Sequence, residues 1–192
     1  MNRILDAAVK EFSAHGYSDA SLEAIATGSN ISKGSLYYYI NDKADLLYYL
    51  LAKMNEGVLD ICDAVDAEGL SIEGRLKSFT LQHATYAAEN ARLLSIYYRS
   101  WPQLKGDRKD VVRRQRDAIS QWMVSNIEDY MRPKGASEPS DKNLKDEARL
   151  AALFYFGSSN WMYTWYNEDS SLSPAVVGQH CSDSWLRSIG LD

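Results

Sequence analysis

The chain has 192 residues, 45% apolar and 24% charged, with a net charge of −5 at pH 7. That is the balance of one globular domain, or of a small module joined to a larger one, and it excludes a disordered segment. With only two cysteines, Cys62 and Cys181, and three scattered histidines, it also excludes a disulfide framework and a four-cysteine zinc site, so we expect neither metal nor cofactor.

The chain's opening residues carry no apolar signal-peptide core, and no apolar run reaches bilayer length, so a soluble, cytoplasmic protein without a membrane partner is expected. Alanine and leucine supply 20 residues each against 22 for Val, Ile and Thr together, and all four prolines lie at or beyond position 102. That composition predicts an all-α protein.

Residues 3–15 carry Ile4, Leu5, Ala8, Val9 and Phe12 on one helix face, and Gly16 suits a left-handed helix end. Ser21 reads as the N-cap of a short helix with Glu23 in its first turn, and Asn30 can adopt positive φ in the turn that follows. Ser32 caps a second short helix over about 33–39. Asp42, with Asp45 three residues on, starts a long helix over 43–67. Two short helices joined by a tight turn describe a helix-turn-helix. Further helices are predicted from Ser71 to Glu89, from Ala91 to Tyr98 (stopped by Trp101-Pro102), over 107–131, from Leu144 to about Tyr166, and from Pro174 to Ile189, with a loop over 134–142.

The runs Ile4-Leu5-x-Ala7-Ala8-x-x-x-Phe12-x-x-x-Gly16-Tyr17-x-x-x-Ser21-Leu22-x-x-Ile25-Ala26 and Ile31-Ser32-Lys33-Gly34-Ser35-Leu36-Tyr37-Tyr38-Tyr39-Ile40-x-x-Lys43-x-x-Leu46 closely resemble the DNA-binding domain of the tetracycline-repressor (TetR) family. Ser29, Asn30 and Ile40 depart from the usual residues, without loss of turn geometry or of an apolar core position. The resemblance implies a homodimeric regulator with a helix-turn-helix domain over 1–47 and an effector-binding and dimerisation domain over 48–192. It also implies that Lys33, Gly34 and Tyr37 face base edges, and that Ser21, Ser35, Tyr38, Tyr39 and Lys43 meet phosphates of double-stranded DNA, with Ser32 capping the reading helix. Lys33 and Lys43 each fall in a helix's first turn, where the macrodipole disfavours a cation unless an anion such as phosphate is present. Against strong backbone binding, residues 1–50 hold four basic and six acidic side chains.

Seven aromatics crowd residues 154–166. In the family the last two helices pair into a four-helix dimer interface, which points to Phe154, Phe156, Trp161, Trp165, Trp185, Leu186 and Ile189 as dimerisation residues. Phe79, His83, Tyr86, Tyr97, Trp101, Trp122 and Met123 are large enough to line an apolar effector cavity. The segment from Trp165 to Pro174 is similar to one in family members that answer acyl-CoA thioesters, and Arg113, Arg114 and Arg116 are candidates for coenzyme A phosphates. The expected function is a repressor released from a palindromic operator by a small hydrophobic effector or an acyl-CoA. Two other readings stand beside it: a helical adaptor that binds protein rather than DNA, and an all-α enzyme. No nucleophile, phosphate-binding or dinucleotide motif supports an enzyme.

Overall fold

The computed structural model describes residues 1–132, 142–167 and 169–191, and among these only helices and their connections occur. The helices are α1 (Asn2–Asp19), α2 (Leu22–Gly28), α3 (Lys33–Leu36), α4 (Lys43–Ala67), α5 (Ile72–Glu89), α6 (Ala91–Ser100), α7 (Gly106–Met131), α8 (Lys142–Asn160) and α9 (Pro174–Ser188), with 3-10 turns at Trp101–Gln103 and Trp161–Thr164. The loop expected over 134–142 falls outside the described residues except for Lys142, which starts α8.

The local signals act where the sequence places them. Gly16 takes φ 75° and kinks α1, and Asn30 at φ 57° makes the turn after α2. Ser21, Ser32, Ser71 and Ser173 each accept a backbone N–H of the helix they precede, which satisfies donors a helix start otherwise leaves open. Asp42 does the same for Asp45 N at 2.9 Å. Two predicted helices are shorter than expected. α3 closes at Leu36 and continues as turns through Tyr39, and α8 gives way to a 3-10 turn at Trp161.

The chain forms two compact units. The first comprises residues 1–56 and 92–115, and the second residues 57–91 and 116–192. In the first, Ile4, Leu5, Ala8 and Phe12 of α1, Ile25 of α2, Leu36 of α3 and Leu46, Leu47, Leu50 and Leu51 of α4 are all buried. The expected three-helix head over 1–47 therefore lies in a unit that also takes in α6 and the start of α7.

The second unit has a core of Leu76 and Phe79 from α5, Met123 and Ile127 from α7, Ala148, Ala152 and Tyr155 from α8, and Trp185 and Leu186 from α9. Four of the residues expected at the dimer face lie in or against this core. Trp185 and Leu186 are 2% and 5% exposed, and Phe156 and Ile189 pack against the same core. Trp185 Nε1 donates to Ala151 O at 3.1 Å, which ties α9 to α8. The physical reason is the helical period. On α8 the buried side runs Ala148, Ala152, Tyr155, Ser159, and Phe156 flanks it, whereas Leu150, Leu153 and Phe154 lie on the other side and are 56–66% exposed; Trp161, in the 3-10 turn that follows, is exposed too. Trp165, Leu172 and Val176 are exposed as well.

α5 and α9 cross closely at Gly178. A Cβ there would run into Thr85 Oγ1 and would meet the Thr85 backbone N and Cα at 2.8 and 2.9 Å. Helix propensity alone favours alanine over glycine by about 1 kcal/mol, but backbone cannot yield as a side-chain tip can, so crowding decides the sign. Gly178→Ala is expected to lower stability by about 1–3 kcal/mol, read as a reduced urea midpoint. An unchanged or raised midpoint would show that the crossing has slack.

Candidate nucleic-acid interface

Helix α3 has four residues, too few to be stable alone. It is held by Ser32, whose Oγ accepts Ser35 N at 3.0 Å and lies 2.8 Å from Ser35 Oγ, and by Leu36, fully buried beneath it. With Leu36 as the anchor, the opposite side of the turn faces solvent. Lys33 and Gly34 are exposed, and Tyr37, Tyr38 and Tyr39 are 51%, 89% and 48% exposed. A Cβ on Gly34 would meet nothing nearer than Ser32 Oγ at 3.8 Å. The fold has room for a side chain there, so glycine's lower helix propensity is not explained by packing.

The corner after α3 is set by charge. Asp45 Oδ2 accepts Asn41 N at 2.7 Å and Asn41 Nδ2 at 3.0 Å. Arg108 of α7 reaches Asp45 Oδ1 at 2.6 Å and Asp42 Oδ2 at 3.1 Å. Burial works against ionising Asp45, but the Asn41 hydrogen bonds and the Arg108 guanidinium outweigh it and hold its carboxyl below the usual range.

Two of the residues expected at phosphates also make contacts within the protein. Lys43 Nζ donates to Ser18 O at 2.7 Å and Ala20 O at 3.0 Å and lies over the Tyr17 ring. It closes the C-terminal end of α1, leaving one of its three N–H donors for any other partner. Ser21 Oγ is likewise occupied, accepting Glu23 N and Ala24 N at 3.2 and 3.4 Å. Lys33 Nζ stands 3.6 Å from Glu23 Oε2. The two cations that looked unfavourably placed at helix starts are thus compensated inside the protein by carbonyls and a carboxylate.

The seven residues expected to line an effector cavity are divided between the two units. Tyr97 and Trp101 belong to the first unit, stacked at 6.3 Å. Phe79, His83, Tyr86, Trp122 and Met123 belong to the second. Phe79 and Met123 are sealed core, and Tyr86 fills the space beside Gly57, where a Cβ would run into its hydroxyl. Trp122 Nε1 donates to Asp66, and its ring packs on Phe79 at 4.7 Å with the Arg75 guanidinium 5.7 Å from its centroid. Two surface grooves of about 390 and 700 Å³ open in this unit, one along α5 and α9 and one along α7 and α8, and none of the seven lines either.

His83 is the exception in chemistry. Its ring is boxed by Phe79, Tyr155 and Phe156 at centroid distances of 5.4–5.5 Å. The Tyr155 hydroxyl donates to Thr80 O at 2.9 Å. That uses its one proton, so His83 donates from Nδ1 to the phenol oxygen at 2.9 Å. Tyr155 and Phe156 were missed as part of this cluster; the i, i+3, i+4 face of α8 that carries Ala148, Ala152 and Tyr155 was the signal for them.

Burial pushes the His83 imidazole down to about 4. Its folded value lies below the ordinary 6.5, so the unfolded chain takes up the proton first as pH falls. Stability is then full above about pH 6.5 and declines towards about pH 4, by about 3 kcal/mol. His83→Gln is expected to flatten that part of the stability–pH curve in denaturant melts, and an unchanged slope would overturn the assignment.

Comparison with known proteins adds to this geometry. Residues 4–50 match the family model described as bacterial regulatory proteins, tetR family, and residues 69–189 match the tetracyclin repressor-like C-terminal domain. The HTH-type transcriptional repressor SCO4008 of Streptomyces coelicolor is 34% identical over 92 residues, 48% of this chain and 46% of that one. The chain matches less than half the length of each curated relative it resembles. Among solved structures, the TetR-family regulator PfmR of Thermus thermophilus superposes with a TM-score of 0.82 at 22% identity, covering 96% of this chain and 97% of that one. AibR, solved with isovaleryl coenzyme A and operator DNA, superposes at 0.72 with 18% identity over 98% and 95% of the two chains. At these identities the superpositions speak for the fold.

Proposed function

The chain belongs to the tetracycline-repressor (TetR) family, and from that premise we propose that it is a ligand-responsive transcriptional regulator that represses from a palindromic operator and is released by a small effector. The observation that carries the reading is the one-turn helix α3. Its buried Leu36 and capped start hold Lys33, Gly34, Tyr37 and Tyr38 outward, an arrangement without structural benefit unless something docks there. Lys33 and Tyr37 are assigned to base edges, and Ser35, Tyr38 and Tyr39 to phosphates. Residues 1–47 are assigned to DNA, and 48–192 to effector and dimer.

A single four-residue helix reads too few base pairs, so a homodimer is part of the proposal. Its face is assigned to Leu150, Leu153, Phe154, Trp161, Trp165, Leu172 and Val176. All seven are large apolar side chains that stand exposed, and covering such groups is what an apolar interface supplies. Among the described residues no helix is long and apolar enough to cross a membrane, in keeping with the cytoplasmic location proposed.

Lys33→Ala with Tyr37→Ala is expected to abolish retention of duplexes selected from a randomised pool while the dimer persists in sedimentation. Retained duplex binding would remove these site assignments, and a wild-type chain that selects no duplex would favour the protein-binding adaptor.

The effector is assigned to the small apolar ligands or acyl-CoA thioesters, the class bound by AibR. A thioester binding only the folded protein at about 100 times its Kd adds about 2.7 kcal/mol. Thermal unfolding with acyl-CoAs, the matching free acids and coenzyme A alone is expected to show stabilisation by a thioester. No shift with any acyl-CoA would discard that ligand class.

A further inference from the structure

The DNA-facing surface carries a carboxylate beside an outward lysine. Glu23, the second residue of α2, and Lys33, the first of α3, come within 3.6 Å with side chains 74% and 54% exposed. Both gain from the pairing in the free protein. Glu23 suits the positive end of the α2 dipole, and Lys33, misplaced at the positive end of α3, is neutralised. An exposed ion pair of this kind contributes little to stability, so its consequence lies in binding. Residues 1–50 hold four basic side chains, of which Lys43 is engaged by the α1 carbonyls and Lys33 by Glu23.

We propose that Glu23 is a specificity-determining residue that suppresses sequence-independent DNA binding. Phosphates alone give Lys33 little reason to leave the carboxylate, and they bring the polyanion against Glu23. A matched site, in contrast, offers Lys33 the paired acceptors of a guanine edge, O6 and N7, in exchange. The carboxylate therefore lowers affinity on every duplex, but only the matched one compensates for it, and the ratio between them widens. This rests on the DNA-binding reading above.

The test uses a labelled mixed-sequence duplex and the full chain, with anisotropy read between about 50 and 200 mM salt. Glu23→Gln keeps the shape and removes the charge. It is expected to tighten mixed-sequence binding about threefold to tenfold and to steepen the slope of log K against log salt by about one. In a Lys33→Gln background the same change is expected to gain much less, because no paired ammonium is left to release. An equal gain in both backgrounds would show ordinary net-charge attraction and overturn the proposal, as would no gain at all. Equal thermal midpoints confirm that the variants are folded. Absence of any duplex binding at the lowest salt, by wild type and Glu23→Gln alike, would overturn the DNA reading itself.

Discussion

A helix of four residues cannot hold itself together, and the first unit is organised around that deficit. Nucleating a turn costs more than its own hydrogen bonds return, so α3 borrows its stability from Leu36 in the core and from the Ser32 cap. Its exit is fixed in turn by Asp45, which takes both nitrogens of Asn41 and is itself held by Arg108. Each support uses a group on the inner or flanking side of the turn. What is left outward is therefore determined by what is used inward: Lys33, Gly34 and the tyrosines are turned towards solvent because Leu36, Ser32 and the corner do the holding.

The same constraint explains why the surface is so sparing with positive charge. Lys43 closes α1 by donating to Ser18 O and Ala20 O, a use that serves cohesion rather than attraction.

In the second unit the organising feature is a polar line inside an apolar core. His83, Tyr155, Thr80 and Ser182 join in one hydrogen-bonded chain across α5, α8 and α9, with Ser182 Oγ 2.7 Å from Thr80 Oγ1. Leaving any one of these groups without its partner would cost more than the bond contributes, so the chain fixes the register in which the three helices meet. Close approach at Gly178 lets that register form.

Local chemistry was legible in the sequence alone: the helical class, the serine caps and the positive-φ residues Gly16 and Asn30. Each depends on a few neighbouring residues, which a linear pattern records. The tertiary structure decided which face of each aromatic-rich helix is covered. Phe154 and Phe156 are two residues apart and equally apolar, yet one is exposed and the other packs on Phe79 and His83, because a helix turns by about 200° between them. It also decided the partners of the cations. Lys33 and Lys43 stand at helix starts in the sequence, but Glu23 is ten residues from the first and Ser18 is 25 from the second. Only folding brings those charges and carbonyls together.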